Sequence, residues 1–305
     1  MSESLKGQLL CSLAMVLVGS TVVVTKIIGQ EMEPFLATTL RHAMALPVFL
    51  LLMRATGARL PRVGLRDALL LLVQAAAGSV GYSVLLIQGV ALASAADTSI
   101  IAGTLPAVSA LFAALFLGER LGLRMVLSIA LATLGVMAVA MSPQIAAQSG
   151  ARLHGVILVL GAIACEAVFI LANKRLSKPL PALAQSTLMC AGGLLLSAVP
   201  AWLVMANRVP VFSLQTVAGL VYYALVPTVG GFLLWYAGSA RTSGARAALA
   251  TVWLPVAALL LSALILGEAI HGWQGLGLAC VVLAIVLAST ADTKPMVRRG
   301  RSYSG

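Results

Sequence analysis

The stretches LFLGER, residues 115–120, and LILGEA, residues 264–269, decide the fold of this chain. Each ends a long apolar run with a glycine and a glutamate, and the two copies lie 149 residues apart. When positions 105–119 are compared with their counterparts at this offset, eight of fifteen residues are identical, including a proline as well as the glycine and the glutamate. The sequence therefore predicts that the chain consists of two related halves.

The composition assigns the chain to the membrane proteins. Of its 305 residues, 61% are hydrophobic and only 10% are charged, whereas a soluble domain carries about 25% charged residues. Only helices and closed barrels can satisfy every backbone hydrogen bond inside lipid. Barrel strands alternate apolar and polar residues, but the apolar runs of this chain are continuous. We therefore predict an all-α integral membrane protein.

Polar breaks divide the chain into ten apolar segments, most of which approach the length of about 20 residues that a helix needs to cross the hydrocarbon core. The predicted spans are 7–28, 34–53, 67–92, 97–117, 122–141, 153–173, 180–205, 213–236, 247–266 and 270–290. Five spans fall in residues 1–146 and five in residues 147–290. Because five is an odd number, the second half would enter the membrane from the opposite side. The sequence thus predicts ten transmembrane helices in two inverted five-helix repeats.

The positive charges indicate the orientation. A net charge of +11 would suggest nucleic-acid binding in a soluble protein, but the basic residues of this chain lie in short loops and in the polar tail, 291–305. With the N-terminus in the cytoplasm, 16 of the 20 Lys and Arg residues fall on the cytoplasmic side and three on the outer side, as the positive-inside rule expects. We predict cytoplasmic N- and C-termini, a solvated cytoplasmic tail and no nucleic-acid partner.

The sequence contains no pattern that indicates a metal site, a cofactor or an enzyme active site. The four cysteines lie within apolar segments and form no Cys-x-x-Cys, which favours packing over disulfides or metal binding. The three histidines are far apart, and the His-Glu-x-x-His, Gly-x-Ser-x-Gly and phosphate-loop motifs are absent. We therefore expect no cofactor, no metal and no catalytic residue.

These features resemble the EamA-type drug/metabolite transporter superfamily over essentially the whole chain. The resemblance is carried by the ten spans, the tandem five-span repeat, Pro106 and Pro255 within the fourth span of each half, and the Gly-Glu that follows that span. In overall character the chain also resembles the aromatic amino-acid exporter branch. The resemblance implies a multi-pass secondary transporter of a bacterial-type inner membrane, with a small-molecule substrate, the lipid bilayer as its surroundings, and a monomeric or weakly dimeric state. Transporters of this architecture place the site near the midplane between the repeats.

Glu166 is the one carboxylate deep within a predicted span. An ionisable group at this depth is costly and suggests a function. Glu166 could bind a substrate ammonium, exchange the proton of a coupled transport cycle, or form an ion pair with a basic residue of the bundle. Asn173 lies two turns further along the same face and is a further candidate for the cavity.

Arg41 lies within the second span, near its outer end. Its guanidinium could meet a substrate carboxylate, pair with Glu166, or extend to the outer interface. The neighbouring His42 points about 100° away on a helix, so we expect the two residues not to act together. His42 is expected to be a hydrogen-bonded packing residue.

Glycine and proline recur at matching positions of the two halves. Pro106 and Pro255 would each free the carbonyl four residues earlier, at Ala102 and Thr251. The candidate hinge residues are Pro106, Pro255, Gly78, Gly81, Pro227, Gly230 and Gly231. The alternatives are static kinks and close packing of helices through small residues.

Aromatic residues make up only 5% of the chain, yet five of them lie in the eighth span. Of these, Trp235 and Tyr236 fall near the predicted inner boundary and are expected to form an interfacial belt. Tyr82 and Trp253 lie deeper and are candidates for a cavity wall that receives an apolar or aromatic side chain. The remaining candidates for polar lining are Gln74, Gln88, Thr98, Ser99 and Thr104.

The glutamates of the two repeated stretches, Glu119 and Glu268, are interpreted as markers of helix ends. The predicted topology places Glu119 at the cytoplasmic face and Glu268 at the outer face, after Gly118 and Gly267, which would allow a tight turn. A polar end to a membrane helix explains both glutamates better than an acid–base pair does.

The predicted function is export of small metabolites by alternating access, with neutral or aromatic amino acids as the favoured cargo and the proton as the candidate coupling ion. A drug or quaternary-cation exporter, or an importer of the same fold, stays open as an alternative. An intramembrane enzyme and a membrane scaffold are the alternatives from other classes.

Overall fold

The computed structural model describes residues 3–118, 121–140, 150–205, 212–242, 247 and 249–290, and within these residues it contains helices and loops but no strand. In chain order the helices are α1 (Glu3–Ile28), α2 (Pro34–Thr56), α3 (Leu65–Leu92), α4 (Ala95–Ala102), α5 (Leu105–Leu117), α6 (Leu123–Ala140), α7 (Ala151–Lys174), α8 (Ala182–Met205), α9 (Leu214–Ser239), α10 (Trp253–Leu266) and α11 (Gly272–Ser289). The predicted all-α class is confirmed.

The helices are long and apolar enough for a membrane protein. Seven of them, namely α1, α2, α3, α7, α8, α9 and α11, could each cross a bilayer, and the pair α4–α5 could do so as one span bent by 44°. The helices α6 and α10 are shorter and apolar. Many large apolar side chains point outward, for example Leu115 with 67% and Leu264 with 79% of its surface exposed. Lipid would cover such a surface, so the chain is a multi-pass membrane protein.

The two halves interlock by exchanging their first helices. The helix α1 packs against α10 and the second part of α9, while α7 packs against α5 and the second part of α3. A Cβ atom at Gly7 would lie 2.9 Å from the Gly238 carbonyl oxygen, and one at Gly155 would lie 2.9 Å from the Gly89 carbonyl oxygen. Gly7 and Gly155 lie 148 residues apart, and Gly89 and Gly238 lie 149 apart. The same close helix crossing is therefore built twice.

Both α3 and α9 contain a widened, π-helical segment, Ala75–Gly81 and Ala224–Gly230, and these segments start 149 residues apart. In such a segment the backbone hydrogen bonds run to the fifth residue along. Widening also helps α9 to accommodate Pro227, which has no N–H and would clash with the preceding turn of a regular helix. The candidates that lie inside or directly after these segments are Gly78, Gly81, Pro227, Gly230 and Gly231. Their action as hinges stays a prediction.

The fourth span is broken before its proline. The helix α4 ends at Ala102, and Pro106 lies in the first turn of α5, where a helix has no use for the missing N–H. Pro255 likewise lies in the first turn of α10. The Thr251 carbonyl oxygen accepts a hydrogen bond of 3.1 Å from the Leu254 N–H. The prediction that Pro255 frees the Thr251 carbonyl is therefore wrong, because the chain has already turned tightly before the proline.

The glycines of the repeated Gly-Glu end their helices in the same way. Gly118 and Gly267 both have a φ angle of 66°, a left-handed conformation that glycine adopts without steric cost. The Glu268 carboxylate accepts hydrogen bonds from the backbone N–H groups of Ala95 (3.0 Å) and Ala96 (2.9 Å). Glu268 thus caps the N-terminus of α4, which belongs to the other half. Its counterpart, Glu119, lies outside the described residues.

We expect Gly155→Ala to destabilise the fold at the second helix crossing. The new Cβ would lie 2.8 Å from the Ala93 backbone nitrogen and 2.9 Å from the Gly89 carbonyl oxygen, and backbone atoms cannot move aside cheaply. The free energy of unfolding should therefore fall by about 1–3 kcal/mol. The control is Gly275→Ala, since no atom lies within 4 Å of that Cβ position. Thermal unfolding in detergent measures the difference, and equal melting temperatures would contradict the tight crossing.

Candidate functional site

A cavity of about 110 Å³ lies between the two halves. Its walls come from α1, α2, α3 and α5 of the first half and from α7, α9 and α10 of the second. Since one water molecule needs about 10–15 Å³ on this measure, the cavity has room for a small ligand. The predicted candidates that line it are Arg41, Gly78, Tyr82, Glu166, Pro227 and Gly231. Most other lining residues are apolar, as is usual for a small-molecule site with a few polar groups.

Arg41 reaches the cavity from α2, and only 5% of it is exposed. Its Nη1 donates to Thr228 Oγ1 (3.1 Å), and its Nη2 donates to the Ser79 carbonyl oxygen (3.0 Å) and to Ser83 Oγ (2.8 Å). The guanidinium carbon lies 4.6 Å from the centre of the Tyr223 ring, within the range of a cation–π interaction. The buried Nε has no hydrogen-bond partner among the described residues. Arg41 is therefore a buried cation at the cavity wall that is held by acceptors from α3 and α9.

Arg41 does not extend to the membrane interface, so that alternative is wrong. The neighbouring His42 is fully buried, its Nδ1 lies 2.7 Å from the Thr38 carbonyl oxygen, and its ring packs so closely on Gly193 that a Cβ there would lie 2.5 Å from Nε2. These contacts agree with the expected packing role. The expected separation from Arg41 is not observed, because His42 Nε2 lies 3.3 Å from Arg41 Nη2.

Glu166 reaches the same cavity from α7. Among the residues that the structure describes, its carboxylate takes part in no hydrogen bond and no ion pair. The ion pair with Arg41 that the sequence left open is therefore not formed, although both charged residues line one cavity. A carboxylate in mostly apolar surroundings strongly favours a cationic or hydrogen-bonding partner.

Aromatic side chains from both halves form much of the wall. They are Tyr82 from α3, Phe169 from α7, and Tyr223, Phe232 and Trp235 from α9. The predicted interfacial belt is wrong for Trp235, because its side chain lines the cavity between the halves. It is also wrong for Tyr236, which is 7% exposed and packs in a core cluster with Met189.

Other predicted candidates lie away from the cavity. Trp253, at the start of α10, is 48% exposed. Thr98 is buried, and its hydroxyl donates to the Ser94 carbonyl oxygen (2.9 Å). Asn173 accepts a hydrogen bond of 2.5 Å from Gln185 on α8. The candidates Gln88, Gly81, Gly230, Pro106 and Pro255 also lie outside the lining.

The sequence interpretation missed the polar groups that hold Arg41. Ser79 and Thr228 lie 149 residues apart, so they occupy equivalent positions in the two widened segments, and both bind Arg41. A signal for them was present, because Ser79 follows Gly78 and Thr228 follows Pro227. Such a pattern would have identified Thr228, which binds through its hydroxyl, but not Ser79, which binds through its backbone carbonyl oxygen.

The sequence of this chain is similar to those of known proteins, and each of its two halves matches the same family. Residues 5–141 and residues 153–290 each match the EamA-like transporter family. The chain is 32% identical over 287 residues to the "Uncharacterized transporter YetK" of Bacillus subtilis (strain 168), which covers 92% of this chain and 86% of that protein. It is 30% identical over 214 residues to the "Probable terminal-alkyne amino-acid exporter" of Streptantibioticus cattleyicolor, which covers 70% of this chain and 69% of that protein.

A solved crystal structure shares the fold. It is 21% identical to this chain, has a TM-score of 0.67, and covers 93% of this chain and 98% of its own. A multi-pass helical bundle with a cavity between two repeats has the architecture of a membrane transporter. The two family matches together span nearly the whole chain, so the protein belongs to the EamA-like transporter family. The resemblance to the EamA-type drug/metabolite transporter superfamily is thereby confirmed.

We expect Thr228→Val to weaken the anchoring of Arg41. The substitution removes the acceptor of the 3.1 Å bond from Nη1 and leaves the shape of the side chain nearly unchanged. A hydrogen bond to a charged group contributes about 1.5–3 kcal/mol, so the free energy of unfolding should fall by an amount in that range.

Thr133→Val is the matched control, because the Thr133 hydroxyl is exposed and bonds only to the Ile129 carbonyl oxygen of its own helix. Both variants are compared by thermal unfolding in detergent. An equal effect of the two substitutions would show that Thr228 does not hold Arg41.

Proposed function

We propose that this transporter exports a small zwitterionic metabolite, with a neutral or aromatic amino acid as the favoured cargo. The observation that carries the proposal is that Arg41 and Glu166 line one cavity and do not pair with each other. The planar guanidinium is suited to a carboxylate, and the carboxylate of Glu166 is suited to an ammonium group. One α-amino acid supplies both partners.

The rest of the cavity supports an apolar or aromatic side chain on that cargo. Tyr82, Phe169 and Trp235 offer ring faces and edges in the wall, and rings pack favourably against other rings. The printed name of the relative from Streptantibioticus cattleyicolor, a probable amino-acid exporter, agrees with this choice.

A quaternary cation is the second candidate cargo. It would find Glu166 and the aromatic wall, but it would also meet the positive charge of Arg41 without a counter-charge, which opposes its entry. An importer of the same cargo would use the same contacts. Whichever cargo is moved, we propose transport with no chemical change to it and no cofactor, which separates this function from those of an intramembrane enzyme or a scaffold.

The topology that we propose has ten crossings, in which α4–α5 count as one and α6 and α10 each count as one. Lys26, at the end of α1, bonds to the Ala93 carbonyl oxygen, while Asp97, four residues beyond Ala93, bonds to Arg152 at the start of α7. The end of α1 and the start of α7 thus lie together, which supports opposite directions for the first helices of the two halves. The proposed divisions are residues 1–146, residues 147–290 and a cytoplasmic tail, 291–305.

We further propose that both termini are cytoplasmic, that the membrane is a bacterial inner membrane, in line with the bacterial relatives, and that the transporter is a monomer or a weak homodimer. The two halves would rock about the cavity, with the widened segments of α3 and α9 and the breaks near Pro106 and Pro255 as hinges. The proton is the candidate coupling ion, and Glu166 is the residue that would exchange it.

The test is a substrate panel on the purified protein in proteoliposomes. Amino acids of each charge class and quaternary cations are supplied with and without an imposed proton gradient. We expect neutral or aromatic amino acids to move. In the Glu166→Gln variant their transport should fall by about tenfold or more, since a charge-assisted hydrogen bond to the ammonium is lost.

Glu3→Gln is the matched control, because Glu3 is exposed at the start of α1 and far from the cavity. Its transport should equal that of the parent protein. Movement of quaternary cations without any movement of amino acids would replace the proposal with cation efflux. If gradient stimulation survives in Glu166→Gln, the proton role of Glu166 is refuted.

A further inference from the structure

Five polar side chains meet at the end of the bundle where α1 finishes and α7 begins. The residues Lys26, Asp97, Arg152, Glu268 and Gln274 form this group, the outer polar cluster. Asp97 is fully buried; its Oδ2 accepts from Arg152 Nε (3.2 Å) and Nη2, and its Oδ1 accepts from Gln274 Nε2 (2.8 Å). Of the ion pairs among the described residues, this is the one in which both partners are largely buried.

The other two members bind backbone groups beside this ion pair. Glu268 accepts from the first N–H groups of α4. Lys26 Nζ donates to the carbonyl oxygens of Val90 (2.6 Å) and Ala93 (2.7 Å), at the end of α3. Helix ends leave N–H and C=O groups without partners inside the helix, so the cluster satisfies the polar turn between α3 and α4.

Most of these bonds join one half of the transporter to the other. Asp97 and α4 belong to the first half, whereas Glu268 and Gln274 belong to the second. Arg152 lies in the first turn of α7, the first helix of the second half. The helix α4 cannot move away from α7 without breaking the ion pair. It cannot move away from α11 or from the end of α10 without breaking the bonds of Gln274 and Glu268.

The cluster lies between the cavity and this end of the bundle. The helix α1 lines the cavity at Thr21 and then reaches Lys26, and α7 begins near Arg152 and lines the cavity from Ile163 onward. At about 1.5 Å of rise per residue, the cluster is displaced from the cavity by about 8–17 Å along these helices. The cluster therefore joins the helices that extend from the cavity wall toward this end.

The internal repeat does not pair the residue types of this ion pair a second time. The repeat offset of 149 relates Asp97 to Arg246, and the offset of 148 relates Arg152 to Ser4. A serine and an arginine cannot form an ion pair. The buried ion pair is thus not a repeated feature: at the other end, among the described residues, the halves are joined by the exposed pair Glu3–Arg241 (3.7 Å).

We propose that Asp97, Arg152 and Gln274 form a gate that holds the outer end closed, so that the resting transporter is open toward the cytoplasm. The outer orientation of this end rests on the proposed function, in which the N-terminus is cytoplasmic. An exporter must load its cargo from the cytoplasm, and a charge-paired outer end favours that state between cycles. Removing one partner leaves the other charge buried and unpaired in the outward-closed state but not in the outward-open state. The outward-closed state is therefore destabilised, and the population shifts toward the outward-open state.

The first test measures access to the cavity from outside, without any substrate. A single reporter cysteine replaces Val18, an apolar wall residue on α1, after the four native cysteines are replaced. A membrane-impermeant maleimide is added outside right-side-out vesicles. Asp97→Asn and Arg152→Gln should each raise the labelling rate by about tenfold. The double variant should add little to either one, because the two residues form one interaction.

Asp67→Asn is the matched control. The Asp67 carboxylate also joins the halves, through the backbone N–H (3.2 Å) and hydroxyl (3.0 Å) of Ser177, but it lies at the other end of the bundle and is partly exposed. Its labelling from outside should not rise. An unchanged labelling rate in Asp97→Asn, or an equal rise in Asp67→Asn, would overturn the gate.

A second test links the two positions covalently and compares the same variant before and after reduction. Asp97→Cys and Arg152→Cys are combined in the cysteine-free background and joined by a reducible bifunctional thiosulfonate. The joined protein should lose maleimide access to the cavity from outside while keeping access from inside, and reductant should restore the outside labelling. Outside access that persists in the joined protein would refute the gate. Because neither test uses a substrate, these outcomes are independent of whether an amino acid is the cargo.

Discussion

The buried cation Arg41 joins the two halves of the transporter at the cavity between them. Moving a guanidinium out of water costs several kcal/mol, so Arg41 can lie there only where hydrogen-bond acceptors converge. The Ser79 carbonyl oxygen from α3 and the Thr228 hydroxyl from α9 supply them at equivalent positions of the repeat. Regular helices use their carbonyls internally, whereas widened segments alter that pairing. The widened segments of α3 and α9 are thus both bonded to the charged side chain of Arg41 on α2.

The exchange of first helices explains how a cavity can form between the halves at all. Because α1 packs on the second half and α7 packs on the first, each half supplies walls for the other. The crossings at Gly7 and Gly155 bring backbones close enough that neighbouring helices move together. A rearrangement in either half must therefore change the shape of the cavity, which is the mechanical requirement for alternating access.

The ionisable groups of the bundle are arranged in two layers with opposite properties. In the cavity, Arg41 and Glu166 are not paired with each other, so each can still gain energy from a charged ligand. Where α1 ends and α7 begins, Asp97 and Arg152 are paired and mostly buried, so their interaction already stabilises one arrangement of the helices. The unpaired charges in the cavity are suited to binding a charged ligand. The paired charges are suited to stabilising one conformation of the transporter. A membrane interior makes both effects large, because few water molecules screen the charges.

The sequence by itself determined the membrane class, the helical elements, the two-fold repeat and the glycines that end α5 and α10. These features depend on local composition, on apolar length and on comparison of the chain with itself. The sequence did not determine which face of each helix meets another, because membrane helices are apolar on most sides and their pattern does not mark an inner face. Trp235 was therefore assigned to the interface and Trp253 to the cavity, whereas Trp235 lines the cavity and Trp253 does not. Only the tertiary structure brought together residues distant in the chain, such as Asp97 with Arg152, because such contacts depend on how whole helices pack.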